Sequence, residues 1–217
     1  MDRFETIIFH CVKLNMKLLF ASNNKNKVAE IRSALTAGIE IITLREAGID
    51  IDIPEPHETI EENAAEKSTV IHQLTGQSCF SEDTGLEVQA LNGEPGVRSA
   101  RYAGDEAHPE KNIALLLDNM KGADQRAAQF KTVISLILDD KEYQFTGICK
   151  GRIITEKKGS GGFGYDSIFI PDGDERTFAE MNMEDRNKYS HRKKALVLLV
   201  NFLNNYHGKD QAHRSGK

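Results

Sequence analysis

The chain has 217 residues, a formal net charge of −5 and 28% charged residues. That length allows a sizeable core, and no basic field marks a nucleic-acid polymer or an anionic membrane as partner. Three scattered cysteines, Cys11, Cys79 and Cys149, exclude a disulfide framework and point to a reducing, cytoplasmic setting. No apolar run approaches the roughly 18 residues of a spanning helix, and Ile7-Ile8-Phe9 has neither a long apolar region nor a cleavage site behind it, so no signal peptide is expected.

Residues 1–15 are expected to be an extension, because Leu18-Leu19-Phe20-Ala21 reads as a first buried strand directly after Met16-Lys17. Ser22-Asn23-Asn24-Lys25-Asn26-Lys27 follows, then a helix with Val28, Ile31, Ala34 and Leu35 on one face. Ser or Asn can cap that helix, but lysines in its first turn oppose the helix dipole unless an anion is bound. Polar side chains and amide N–H groups at a helix N-terminus form a phosphate site in physical terms. No P-loop is present, and an ordinary capped helix start is the competing reading.

Ile39, Ile41 and Ile42 give a second strand, and Ile49-Asp50-Ile51-Asp52-Ile53 alternates like another. Pro54-Glu55-Pro56-His57 is stiff and extended, which leaves Glu55 free to face a site. Thr59 and Glu62 form a capping box for a helix to about Leu74, with Ile60, Ala64, Ile71 and Leu74 inward. Asn63 and Lys67, one turn apart, share a face of it.

The stretch from Cys79 to Ala103 carries the most chemistry. Cys79-Phe80-Ser81 reads as a short strand with Glu82-Asp83 at its tip, Thr84-Gly85 as a turn, and Leu86-Glu87-Val88 as a second strand. Two like charges at a strand tip repel unless a cation lies between them, and Mg²⁺ suits carboxylates facing substrate phosphates. Taken alone, the pair also fits a solvated acidic turn. A helix is expected over about 108–120, then a hairpin of strands 126–139 and 142–155 turning at Asp139-Asp140-Lys141. The loop from Gly159 to Asp166 formally contains G-x-G-x-x-G, but Tyr165 to Pro171 reads as strand, so a dinucleotide fingerprint fails its context. A glycine loop that brings Phe163 or Tyr165 against a flat base fits better. Ser190 is a good N-cap, placing His191 and Arg192 in the first turn of a last helix with Ala195, Leu196, Leu199, Phe202 and Leu203 inward. Residues 206–217 form a polar tail, and no linker splits 16–205 into two domains.

SNNKNK after the first strand, E-x-x-x-T-x-x-E-N-A-x-x-K at 55–67, SEDTGL, PGVRSARYAG, GGFGYD and SHR occur in this order. Together they resemble the inosine triphosphate pyrophosphatase family, the house-cleaning XTP/dITP diphosphatases, over roughly residues 16–205. The resemblance implies an elongated, two-lobed α/β fold: a mixed sheet with flanking helices, a nucleotide cleft between the lobes, and a homodimer. It implies Mg²⁺-dependent attack of water on the α-phosphate of a deaminated purine triphosphate (ITP, dITP or XTP), giving the monophosphate and pyrophosphate. By that likeness Ser22, Asn23, Asn24, Lys25, Asn26 and Lys27 hold the triphosphate. Asp83 is general base and metal ligand, Glu55 a further ligand, Lys67 a cation near the phosphates, and Thr84 a substrate-contacting hydroxyl. Phe163, Gly164, Tyr165 and Asp166 form the base loop, and His191 and Arg192 read the purine edge. Arg186 stands where the family usually has Lys, which bears on fine specificity. Two alternatives are a nucleotide-binding regulator without turnover and a pyrophosphatase for modified pyrimidines.

Overall fold

The computed structural model of the chain describes residues 16–35 and 39–206. The extension over 1–15 and, apart from Tyr206, the tail lie outside the described residues. The strands are β1 (Met16–Phe20), β2 (Ile39–Thr43), β3 (Cys79–Val88), β4 (Pro95–Gly96), β5 (Ala127–Leu138), β6 (Lys141–Ile153) and β7 (Phe169–Pro171). They form a mixed sheet in the order β2-β1-β3-β5-β6-β7, with β4 beside β3. β1 is parallel to β2 and β3, and the remaining pairs are antiparallel. The helices are α1 (Lys25–Ala34), α2 (Ile60–Thr75), α3 (Pro109–Asn119), α4 (Met183–Tyr189) and α5 (His191–Asn205).

The capping chemistry follows the sequence. Asn24 Oδ1 accepts the N–H groups of Asn26 and Lys27 at the start of α1, and Thr59 Oγ1 accepts that of Glu62 at the start of α2. Ser190 Oγ does the same for Lys193 on α5. The β5–β6 hairpin turns on Asp139 and Asp140 at φ 51° and 62°, the pair of positive angles that a tight hairpin turn demands.

Three expectations need correction. Thr84-Gly85 is not a turn: β3 runs unbroken for 10 residues, paired along its whole length with β5. Gly85 serves close packing instead, since a Cβ there would lie 2.5 Å from Gly96 O on β4. Residues 49–53 form no strand. Ile49 and Ile53 pack on a core with Leu44 and Ile71, while Asp50 and Asp52 face water from an irregular segment. The strand expected over 165–171 forms only at its end, because Asp166–Ile168 winds into a 3₁₀ turn. A smaller departure is Leu74, 58% exposed beside the Gly76 cap, so Ile71 is the last inward position of α2.

The two lobes arise from the long strands. On β3 and β5, Phe80, Ile134 and Leu136 join a core with Leu18, Phe20 and the α5 residues Leu196 and Leu199. The other ends of the same strands, Leu86, Val88 and Phe130, join a second core with Ile113, Phe169 and Phe178. Glu82, Asp83 and Thr84 occupy the stretch of β3 between these cores, where polar side chains can face a cleft.

Candidate active site

Adjacent strand residues point to opposite faces of a sheet, and that separates the two acids. On one face, Cys79 and Ser81 bond to α2 carbonyls at Ser68 and Ala64, and Asp83 follows them toward α2. On the other, Phe80 packs in the α5 core and Glu82 meets α1 and α5. The acids are therefore not a repelling pair that shares one cation. Asp83 contacts Lys67 and Glu82 contacts Arg192 and Lys27, while the charge of Lys27 acts on both acids.

Lys67 Nζ lies 2.6 Å from Glu55 Oε1 and 3.0 Å from Asp83 Oδ1. Its ammonium is held above its ordinary range: burial acts against it, and the two carboxylates outweigh burial. Burial pushes the Asp83 carboxyl up, with Lys67 and Lys27 offsetting only part of that. For Glu55 burial also acts upward, but Lys67 prevails and lowers it. Asn63, on the same face of α2 as Lys67, is spent on the backbone of His57, whose N–H and carbonyl it bonds at 3.0 and 3.1 Å. It thereby fixes the stiff segment that carries Glu55.

Glu82 is enclosed, with Arg192 Nε at 2.6 Å and Lys27 Nζ at 2.9 Å. Burial alone would raise its carboxyl; Arg192 and Lys27 together hold it well below the usual carboxylate range. Arg192 also pairs with Glu30 of α1, and Glu30 in turn pairs with Arg186 at 2.8 Å. Arg186 reaches Asp166 at 2.5 Å and lies over the rings of Phe163 and Phe178 at 5.6 and 5.1 Å. Burial pushes the Asp166 carboxyl up against the pull of Arg186. Asp166 also accepts the Phe163 N–H at 2.8 Å, so it pins the glycine loop. His191 stacks on Phe130 at 4.8 Å, and its Nδ1 is buried without a hydrogen-bond partner. Burial, then the charges of Arg192 and Arg186, hold it neutral, far below the usual imidazole range.

These groups line one cleft of about 490 Å³. Ser22, Asn24, Asn26, Lys27, Glu55, Lys67, Asp83, Thr84, Phe163, Gly164, Tyr165, Asp166, Arg186, His191 and Arg192 all reach it. Asn23 and Lys25 do not: the Asn23 side chain accepts the Arg45 N–H at 2.9 Å, and Lys25 is exposed at the start of α1. Tyr165 is only 4% exposed and its hydroxyl donates to Ser99 O at 2.9 Å, so its ring belongs to the lobe core and Phe163 is left as the ring free to meet a base. Thr84 Oγ1 bonds Thr132 Oγ1 at 2.6 Å and accepts from Arg192 at 3.3 Å. Glu30 and Arg101 also line or brace the site without having been singled out from sequence. Glu30 carried a faint signal, an acid beside the inward Ile31; Arg101 carried none beyond its place in PGVRSARYAG.

Among the described residues no group of three or more His, Cys, Asp or Glu is arranged to hold a metal. Glu55 and Asp83 nonetheless converge from two sides on one cation position, now that of Lys67 Nζ. Two hard oxygen donors beside a substrate cleft fit Mg²⁺, which takes one or two carboxylates and completes its shell with phosphate and water.

The cleft can gather cations around an anionic ligand at one end and a flat ring at the other, with a raised carboxyl between them. The sequence profile of the Ham1 family matches residues 18–202. The chain is 51% identical over 188 residues to the dITP/XTP pyrophosphatase of Flavobacterium johnsoniae, covering 87% of this chain and 98% of that one. It is 46% identical over 188 residues to the enzyme of the same name from Porphyromonas gingivalis, covering 86% of this chain and 97% of that one. Among solved structures, a HAM1 protein from Coxiella burnetii superposes with TM-score 0.81 at 35% identity, covering 88% of this chain and 100% of that one. The Staphylococcus aureus Ham1 protein superposes with TM-score 0.79 at 38% identity, covering 87% and 98%. By profile, by identity over most of its length and by fold, the chain belongs to the Ham1 family.

Proposed function

We propose that the chain is a hydrolase that cleaves deaminated purine nucleoside triphosphates (ITP, dITP, XTP) to the monophosphate and pyrophosphate. The observation that carries this reading is that the Glu55–Lys67–Asp83 group and the Phe163–Arg186–His191 group line the same cleft. The dITP/XTP pyrophosphatase name of its relatives supports the substrate class.

Phosphoanhydride hydrolysis is mostly positioning and charge neutralisation. Lys27 and Lys67, at 17% and 8% side-chain exposure, would meet phosphate oxygens with little loss to solvent screening. Asp83, its carboxyl pushed up by burial, would accept the proton of the attacking water at a carboxylate oxygen. Glu55 and Asp83 would hold Mg²⁺, which when bound would neutralise charge on the phosphates. The base would enter beside Phe163, where the unpartnered His191 Nδ1 can be satisfied. A neutral imidazole with its proton on Nδ1 donates to a 6-oxo group and not to the 6-amino group of adenine. Arg192 supports this reading indirectly: with its guanidinium committed to Glu82 and Glu30, it bears on the base through the charge it places beside His191. Asn23 and Lys25, outside the cleft lining, would contribute through the turn rather than by contact.

The scattered cysteines, of which Cys79 and Cys149 are buried and free, support a reducing cytoplasm, and among the described residues no helix is long and apolar enough to cross a membrane. The homodimer rests on the resemblance alone; light scattering in solution should give twice the mass of one chain. The test of the function is kcat/KM for ITP, XTP, GTP and ATP with Mg²⁺. A mismatched buried contact costs about 1–3 kcal/mol, so ATP should be poorer than ITP by at least about fivefold; parity of the two would refute the substrate class.

A further inference from the structure

Arg101 joins Lys27, Lys67, Arg186 and Arg192 as a cation lining the cleft. Arg101 ends the 3₁₀ turn Ser99–Arg101, whose backbone is held from three directions. The side chain of Asn112, only 4% exposed, donates to Ala100 O at 2.9 Å and accepts the Ala103 N–H at 2.7 Å. Tyr165 donates to Ser99 O at 2.9 Å. Ser99 Oγ donates to Gly96 O at 2.6 Å and accepts the Leu86 N–H at 2.8 Å. The head of Arg101 is treated differently. Its side chain is 51% exposed, and its contact is Glu55 Oε2 at 3.4 Å, while Lys67 takes the other oxygen of Glu55 at 2.6 Å. A rigid base with a loosely held guanidinium suits a cation that changes partner when an anion arrives.

The ion pairs around the cleft fall into two connected sets. From the glycine loop the contacts run Asp166–Arg186–Glu30–Arg192–Glu82–Lys27 on one face of β3. On the other they run Asp83–Lys67–Glu55–Arg101. On that reading Asp83 is the base for attack at the α-phosphorus, and Arg101 belongs to the same set of ion pairs, joined to Asp83 through Glu55 and Lys67.

We propose that Arg101 exchanges Glu55 for the β- and γ-phosphoryl groups of the bound triphosphate and holds them as they leave. This rests on the reading of the cleft as a nucleoside triphosphate diphosphatase site. The water oxygen bonds to the α-phosphorus, its proton goes to Asp83, and the bond from the α-phosphorus to the α–β bridging oxygen breaks. The electron pair stays on that oxygen, so pyrophosphate departs with the charge that the guanidinium, protonated throughout, has met.

Titration calorimetry with inorganic pyrophosphate and, separately, with IMP tests this on the full chain. Arg101→Ala should weaken pyrophosphate binding roughly ten- to a hundredfold, the value of one charge-assisted pair, and change IMP binding by no more than about twofold. Arg98→Ala removes the same charge next to the same turn, from an exposed residue outside the cleft lining, and should alter neither. Arg101→Gln keeps the stem and should match the alanine variant, which guards against a folding defect. Pyrophosphate binding within about twofold of wild type in both Arg101 variants overturns the proposal, as does an equal loss for IMP. A wild-type protein that cleaves no ITP overturns the functional reading itself, an outcome separate from either of these.

Discussion

Glu82 and Asp83 are neighbours in sequence with separate tasks, and conservative substitution should separate them. Glu82→Gln removes a fully buried charge that Arg192 grips at 2.6 and 3.2 Å and Lys27 at 2.9 Å. Breaking a buried ion pair from one side costs about 3–5 kcal/mol, because the remaining charge is stranded. Arg192 keeps Glu30, and Lys27, at 17% side-chain exposure, can regain water. The low end, about 3 kcal/mol, is therefore expected, which in a chain of this size lowers Tm by roughly 6–12 °C. Asp83→Asn strands less: Lys67 keeps Glu55 at 2.6 Å, and the new amide oxygen can still accept from it. Its cost should be about 1 kcal/mol, or some 2–4 °C. Turnover should show the reverse order. Loss of the proton acceptor lowers kcat by about 10²–10⁴-fold in Asp83→Asn, with the affinity for ITP largely kept. Calorimetric melting and steady-state ITP hydrolysis on the two purified variants read both quantities. An Asp83→Asn enzyme near wild-type turnover, beside a stable but inactive Glu82→Gln, would show that the two faces have been assigned the wrong way round.

Gly85→Ala should lower Tm by roughly 2–12 °C, since its Cβ would meet Gly96 O at 2.5 Å and Ile60 Cδ1 at 2.9 Å, an overpacking of about 1–3 kcal/mol; an unchanged Tm would mean that β4 is free to move aside. Removing divalent cations with a chelator should cut ITP turnover by about two orders of magnitude or more, the several kcal/mol a bound metal contributes. It should leave Tm in place, because two carboxylates beside Lys67 do not make a structural cage. Full turnover in excess chelator would remove Mg²⁺ from the account.

How far the sequence could be read depended on whether a residue's task is local. The caps at Thr59 and Ser190 rest on short-range hydrogen bonds, and the Asp139-Asp140-Lys141 turn lies between two strand-like runs, so both are legible in the pattern, whereas at α1 the sequence offers several Ser and Asn residues and the structure selects Asn24. Glu55, Lys67 and Asp83 were reached through motif resemblance and meet within 3.0 Å. Gly85 reads as a turn because glycine marks both turns and close approaches, and only the tertiary position of β4 distinguishes them. Ile49–Ile53 alternates as a strand does, but alternation signals a half-buried segment and cannot supply a hydrogen-bonding neighbour. Arg192 and Glu30 are 162 residues apart, and nothing in the first turn of α5 announces that its arginine turns inward to an acid on α1. The separation of Glu82 from Asp83 is legible in sequence once both lie within a strand, since strand parity places consecutive acids on opposite faces.

The central claim, water attack at the α-phosphorus beside Asp83, is tested most directly by hydrolysing ITP in ¹⁸O-labelled water and locating the label by mass spectrometry. The account predicts one ¹⁸O in the IMP product and unlabelled pyrophosphate. Label in the pyrophosphate, or release of orthophosphate in its place, would contradict it.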